Sequence, residues 1–184
     1  MNTFEAIINR KSIRAYLDKE IPAETISKIL EAGQWAPNAG PFQISVIRNA
    51  QLRKKINDQT LQAMLNSGIE FMMQRASIPG YQPLYDAPVI LLISAPNNLP
   101  HAPYNAGVVA ENMLLQATEL CLGSCFLRSI SLVLNNNQAV ITEAGIPDDY
   151  TFHCGVALGY SAAENKFSPS PSERVKRGEV KYID

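Results

Sequence analysis

The feature that most constrains the fold is an uninterrupted apolar run at residues 88–93, Pro-Val-Ile-Leu-Leu-Ile. A β-strand with one face in water alternates apolar and polar side chains, whereas a strand covered on both faces is apolar throughout. The run is too short for a membrane-spanning helix, which needs roughly 18 apolar residues. It therefore predicts a central strand that is covered on both of its faces.

The other elements follow from hydrophobic spacing and from turn residues. Helices are expected after Thr3, from about Pro22 to residue 35, over 51–75 with a break at Ser67-Gly68, over 104–122, and over 137–144 with Gly145 as the C′ residue. Further strands are expected at 44–47, 124–130 and 152–160, and at 180–183 as an edge strand. Because helices and strands do not alternate strictly, the predicted class is α+β rather than a doubly wound sheet.

Length and charge favour a single domain over residues 1–184. The chain is long enough to bury a core, and its net charge of −1 at pH 7 gives no basic excess that would suggest a nucleic-acid partner. The N-terminal residues lack the pattern of a signal peptide, and no apolar run is long enough to span a membrane. We therefore expect a cytoplasmic protein with no nucleic-acid or membrane partner.

The three cysteines, Cys121, Cys125 and Cys154, are expected to be reduced and structural. An odd number of cysteines argues against a disulfide framework. Because His101 and His153 are the only histidines available to complete a ligand set, no metal site is expected.

The first segment with chemical potential is Arg10-Lys11-Ser12-Ile13-Arg14, which follows the short N-terminal helix. Arginine forks suit phosphate oxygens, and the serine hydroxyl adds a donor. Taken alone, such a charge run is more typical of a solvated turn. A second basic group, Arg174, Lys176 and Arg177, is typical of a solubilising tail, unless the tail folds back and completes a phosphate site with the first group.

Two further segments are candidates for approaching a ligand. The loop at residues 36–43, Ala-Pro-Asn-Ala-Gly-Pro-Phe-Gln, has small residues and amides that suit a flat polar ligand, although it is also typical of an ordinary helix–strand connection. The segment at residues 123–129 follows the long helix and is typical of a helix C-cap leading into a strand. No phosphate-binding P-loop, dinucleotide fingerprint or nucleophile elbow is present.

In this order along the chain, these segments resemble the nitroreductase (FMN-dependent oxidoreductase) family. Residues 10–14 resemble its R-[RK]-S-x-R start, and residues 36–43 resemble its A-P-[SN]-x-x-x-x-Q loop. Residues 105–122 are similar to its central helix, Leu122 to Cys125 to the turn that follows, and residues 155–160 to its last strand. Each motif is loose, but the ordered set covers nearly the whole chain.

The resemblance implies a mixed central sheet flanked by helices, and an intertwined homodimer with FMN at the interface and a C-terminal strand lent to the partner. It implies that Arg10 and Ser12 hold the ribityl-phosphate end and that Arg14 lies near the N1/O2 edge of the flavin. Asn38, Ala39 and Gly40 would approach from the partner chain, and either Arg174 or Arg177 would complete the phosphate site. By the same resemblance, the other candidate cofactor-binding residues are Lys11, Gln43, Leu127 and Arg128.

The implied activity is electron transfer from NADH or NADPH to nitro compounds, quinones or similar electron-poor acceptors. The chemistry takes place at flavin N5, so no catalytic side chain is expected, and Arg14 gives electrostatic support. Pro41 stands where many members carry an asparagine that touches the ring, which keeps open a non-catalytic FMN protein that stores or senses the cofactor. A flavin-free scaffold on the same fold is the third alternative.

Overall fold

The computed structural model describes residues 1–162 and 177–183. Its helices are α1 Thr3–Asn9, α2 Ala23–Gln34, α3 Ala50–Leu65, α4 Glu70–Ala76, α5 Ala102–Glu119, α6 Ser131–Leu134 and α7 Gln138–Glu143. Its strands are β1 Gln43–Ile47, β2 Val89–Pro96, β3 Gly123–Leu127 and β4 Tyr150–Gly159.

The four strands form one antiparallel sheet in the order β1-β2-β4-β3. The apolar run that opens β2 lies inside this sheet, with Ile90 opposite Ile47 on one side and Ala157 on the other. Residues 89–95 are all buried. The predicted central strand and the α+β class are therefore confirmed.

Alternate residues of β2 pack into two separate hydrophobic cores, one on each face of the sheet. Ile90 and Leu92 pack with side chains from α3, α6 and α7. Leu91 and Ile93 pack with side chains from α2 and α5 on the opposite face. Because side chains alternate across a strand, a strand with a helical layer on each side is apolar at nearly every position.

The long helix α5 is buried on most of its surface, as its composition predicts. It begins two residues before the predicted start, because Pro103 is accommodated in the first turn. It ends at Glu119, and Cys121 has a left-handed backbone (φ 58°), so Cys121 and Cys125 do not share a helix face.

Two other predicted elements differ from the structure at their ends. The helix expected over 51–75 is divided into α3 and α4 at Ser67-Gly68, where Gly68 has φ 69°. The strand expected over 124–130 ends at Leu127, and the four-residue helix α6 follows at Ser131. So short a helix has too little periodicity to be read from sequence.

The C-terminal residues 177–183 form no strand within one chain, so the edge strand predicted at 180–183 is not found there. Val180, Tyr182 and Ile183 are each more than three-quarters exposed. Among the described residues, no helix combines the length and apolar character needed to cross a bilayer.

Candidate functional site

The basic segment after α1 continues as extended chain along the edge of the sheet. α1 begins at a capping box between Asn2 and Glu5. Beyond its end, Ser12 pairs in parallel with Ser124 of β3, and the Ile13 amide donates to the Ser124 carbonyl at 2.8 Å. The sheet therefore fixes the backbone of a segment that taken alone is typical of a solvated turn.

Ile13 holds this segment against β3 by packing onto Gly123. Its side chain is 4% exposed and lies over Gly123, where a Cβ would be 2.9 Å from Ile13 Cγ2. Arg10, Ser12 and Arg14 lie on either side of Ile13 along this segment, and each is only partly buried. We call these three residues the basic strip.

The strip carries two guanidinium groups and a hydroxyl, and all three are partly buried. The Nε atom of Arg10 lies 3.6 Å from Oε1 of Glu111 on α5, which is half-exposed. One long helix thus supports the N-terminal end of the strip through an ion pair.

Cys125 of β3 lies beneath the strip. Burial raises the pKa of its thiol, while Arg14 and a hydrogen bond with Ser12 act in the opposite direction. The net shift is upward, so the thiol stays protonated at neutral pH. This agrees with a reduced, structural role rather than a nucleophilic one.

A cluster of aromatic and basic side chains lies next to Arg14 and was not expected from the sequence. The guanidinium carbon of Arg14 is 5.9 Å from the centroid of the Tyr85 ring. Arg75 of α4 donates to the hydroxyl of Tyr85 at 3.2 Å and to that of Tyr81 at 3.3 Å. These residues are distant from Arg14 in sequence, and no spacing pattern connects them.

Burial keeps the hydroxyls of Tyr81 and Tyr16 protonated at neutral pH. Burial raises the pKa of Tyr81 to about 12, and the neighbouring Tyr85 adds to the shift. Burial also raises the pKa of Tyr16 well above its ordinary value. Around them is a cavity of about 200 Å³, lined by Arg14, Ala15, Tyr16, Gly80, Gln82, Tyr85 and Asp86.

The loop at residues 36–43 is attached to the start of α5. Asn105 donates from Nδ2 to the Ala39 carbonyl at 3.3 Å, and Gly40 (φ 126°) lies against Leu99. Both polar atoms of the Asn38 amide are buried, and neither has a hydrogen-bond partner among the described residues. Buried amides are normally paired, so the Asn38 amide has hydrogen-bonding capacity that the described residues do not use.

The remaining candidates are placed in different surroundings. Gln43 donates from Nε2 to Ser45 Oγ at 2.9 Å and to the Gly145 carbonyl at 2.5 Å, so its amide is engaged within the chain. Leu127 is buried in the core, and Lys11 is half-buried. Arg177 is exposed, and Arg174 lies outside the described residues.

Arg128 follows β3 and is exposed. Burial lowers the pKa of nearby His153, and the charge of Arg128 adds to this, so His153 is neutral at pH 7. His153 sits where the register of β2 and β4 shifts, between the pairs of Ile93 and Ser94.

Comparison with known proteins identifies relatives over most of the chain. Residues 7–160 match the model of the Nitroreductase family. A Methanothermobacter thermautotrophicus protein, provisionally named an NADH dehydrogenase/NAD(P)H nitroreductase, is 31% identical and covers 88% of this chain and 78% of its own. A similarly named Archaeoglobus fulgidus protein is 29% identical, and the match covers 92% of this chain and 95% of that protein.

A solved structure supports the same relationship. The nitroreductase of Bacteroides fragilis, with bound FMN, superposes over the whole of both chains with a TM-score of 0.87 and 27% sequence identity.

Proposed function

This chain belongs to the nitroreductase family, and on that premise we propose that it passes electrons from NAD(P)H to nitro compounds, quinones or similar electron-poor acceptors. It is an NAD(P)H-dependent flavin oxidoreductase, and its cofactor is FMN. When bound, FMN supplies the electron-transfer chemistry, and the protein supplies binding, orientation and electrostatics.

The observation that carries this proposal is the basic strip. Arg10, Ser12 and Arg14 are partly buried side chains on one short segment held at the sheet edge, and two guanidinium groups and a hydroxyl match a ligand with a phosphate at one end and a polar edge at the other. Arg10 and Ser12 bind the phosphate end, where a guanidinium fork and a hydroxyl are the preferred partners. The donor set of this chain therefore fits FMN.

Arg14 binds the N1/O2 edge of the isoalloxazine ring. Negative charge accumulates there on reduction, and a partly buried guanidinium stabilises it more strongly than a fully hydrated one would. The cavity beside Arg14 and Tyr85 gives that edge room. The reacting groups come from the cofactor and the substrates, so no side chain acts as nucleophile or general base.

A second copy of the chain completes the site. Large apolar side chains are exposed on α1, after α2 and on α5, namely Phe4, Ile7, Ile8, Trp35, Tyr104 and Val108. Apolar surface of this extent is typical of a protein–protein interface. The unpaired amide of Asn38, with Ala39 and Gly40, approaches the cofactor of the partner subunit across that interface.

The remaining candidate residues add to these contacts. Lys11 and either Arg174 or Arg177 add positive charge near the phosphate. Leu127 has a buried side chain, so it contacts the cofactor through its backbone, with Arg128 next to it. Gln43 reaches the cofactor only if its side-chain amide breaks its hydrogen bond to the Gly145 carbonyl.

The experiment is an absorbance spectrum of the purified protein before and after anaerobic addition of NADPH or NADH. Bands of oxidised flavin that bleach and then return with a nitroaromatic or quinone support the proposal. Flavin bands that do not bleach with either nucleotide indicate a binding protein instead, and absence of flavin even after FMN is added contradicts both.

A further inference from the structure

Two adjacent residues beside the basic strip have an uncommon backbone conformation. Tyr85 has φ 55° and Asp86 has φ 57°, and both have a Cβ that makes the left-handed region costly. Such conformations persist where the surrounding structure enforces them, and they are concentrated at functional sites. Tyr85 is also buried, with 9% of its surface exposed.

The contacts of Tyr85 show what this conformation achieves. Its ring lies 5.9 Å from the guanidinium carbon of Arg14, within the range of a cation–π interaction. Its hydroxyl accepts a hydrogen bond from Arg75 Nη2 at 3.2 Å. The same side chain therefore contacts a guanidinium of the strip and a guanidinium of α4.

Arg75 is held by hydrogen bonds to two tyrosine hydroxyls. Burial acts to lower its pKa, but the hydrogen bonds to Tyr85 and Tyr81 outweigh this and raise it, so it stays charged. The Tyr81 ring meets the Tyr85 ring edge to face, with centroids 5.9 Å apart. Contacts thus run from Arg75 through Tyr85 to Arg14.

We propose that Tyr85 is a positioning residue for Arg14, and that Arg75 acts on Arg14 through Tyr85. This rests on the proposed function, because Arg14 is the residue assigned to the N1/O2 edge of FMN. Tyr85 limits the positions open to the long Arg14 side chain, so the guanidinium loses less freedom when the cofactor binds. The effect is largest when the cofactor is reduced and more negative.

The test measures the dissociation constant of FMN and its two-electron midpoint potential in Tyr85→Leu. We expect affinity for reduced FMN to fall about tenfold more than affinity for oxidised FMN, which lowers the potential by about 30 mV. Tyr160→Leu is the matched control, because the Tyr160 ring lies under a different cation, Lys19, at 4.1 Å. The control is expected to keep the wild-type potential.

A double variant separates positioning from general damage. Tyr85→Leu in an Arg14→Gln background is expected to leave the potential where Arg14→Gln alone puts it, since the tyrosine acts through that arginine. An undiminished shift in that background overturns the proposal, as does a wild-type potential in Tyr85→Leu itself. Wild-type protein that binds no FMN overturns the proposed function and this inference together.

A second pair of variants applies if Tyr85→Leu does not fold. Tyr85→Phe keeps the ring over Arg14 and loses the hydroxyl contact to Arg75, and Arg75→Gln removes the same contact from the other side. Each is expected to lower the midpoint potential by the same amount, which is smaller than the drop expected for Tyr85→Leu. The double variant is expected to show no further drop. Unchanged potentials, or shifts that add in full, overturn the proposal.

Discussion

Ile13 lies so close over Gly123 that a Cβ on residue 123 would be 2.9 Å from Ile13 Cγ2 and 3.1 Å from Ile13 Cγ1. No ordinary Cβ contact is that short, so the absence of a side chain at 123 sets how deeply Ile13 is seated. Ile13 is the only buried residue between Arg10 and Arg14, with 4% exposed. Its contact with Gly123 therefore sets the distance between the basic strip and β3.

We expect Gly123→Ala to destabilise the fold by about 1–3 kcal/mol, the usual cost of overpacking, and to weaken FMN binding by displacing the strip. Chemical denaturation and flavin titration measure the two effects. Combining it with Ile13→Ala is expected to recover part of the loss relative to the sum of the single changes, because the clash is then removed. Strict additivity in the double variant would show that the two side chains do not compete for space.

We expect Arg14→Ala to weaken FMN retention roughly tenfold or more and to slow reduction by NAD(P)H. The reason is loss of a charged hydrogen-bond donor worth about 1.5–3 kcal/mol. Flavin fluorescence titration and anaerobic stopped-flow absorbance measure affinity and rate. The matched control is Arg48→Ala, which removes an exposed arginine paired with Glu20, and wild-type rates in Arg14→Ala would contradict the assignment.

Arg10→Ala is expected to discriminate between two ligands. If Arg10 binds the phosphate, the variant loses affinity for FMN by roughly tenfold but binds riboflavin, which lacks the phosphate, as the wild type does. Titration with both flavins under identical conditions provides the comparison. Equal losses for the two flavins would place Arg10 elsewhere on the cofactor or in the fold.

Phe4→Glu is expected to convert a homodimer into monomer and to release FMN. Phe4 is 67% exposed on α1, on the α5 side of the sheet, and a charge in an apolar interface is costly. Sedimentation velocity and flavin content report the two changes. Leu65→Glu, at the end of α3 in the layer on the other face, is the control and is expected to remain dimeric; dimeric, flavin-loaded Phe4→Glu would exclude this face from the interface.

The free energy of unfolding is expected to fall between about pH 9 and pH 12 through Cys154. Burial raises the pKa of this thiol to about 12, from a reference of 9.0. Between those values the unfolded chain releases the proton and the folded chain keeps it, so stability falls as pH rises, by about 1.4 kcal/mol per pH unit for one such group. Cys154→Ala is expected to flatten that slope in alkaline denaturation curves, and an unchanged slope in that variant would contradict the assignment.

Much of the fold was predictable because it depends on local periodicity. The apolar run of β2 identified a two-sided strand, and the break at Ser67-Gly68 and the turn at Gly145 (φ 70°) are where the glycines predicted them. The end of β3 and the helix α6 were not predictable in this way. Their boundary is decided by packing of Ile130 and Leu134 into the core, which local propensity does not contain.

The sequence by itself determined the family pattern and the basic strip, because Arg10, Ser12 and Arg14 lie within five residues of one another. Only the tertiary structure decided what surrounds them. It brings Tyr85 and Arg75 against Arg14, occupies the amide of Gln43 within the chain, and leaves the amide of Asn38 buried without a partner among the described residues. These relationships join residues far apart in sequence, and such contacts are set by how the layers pack rather than by any local spacing.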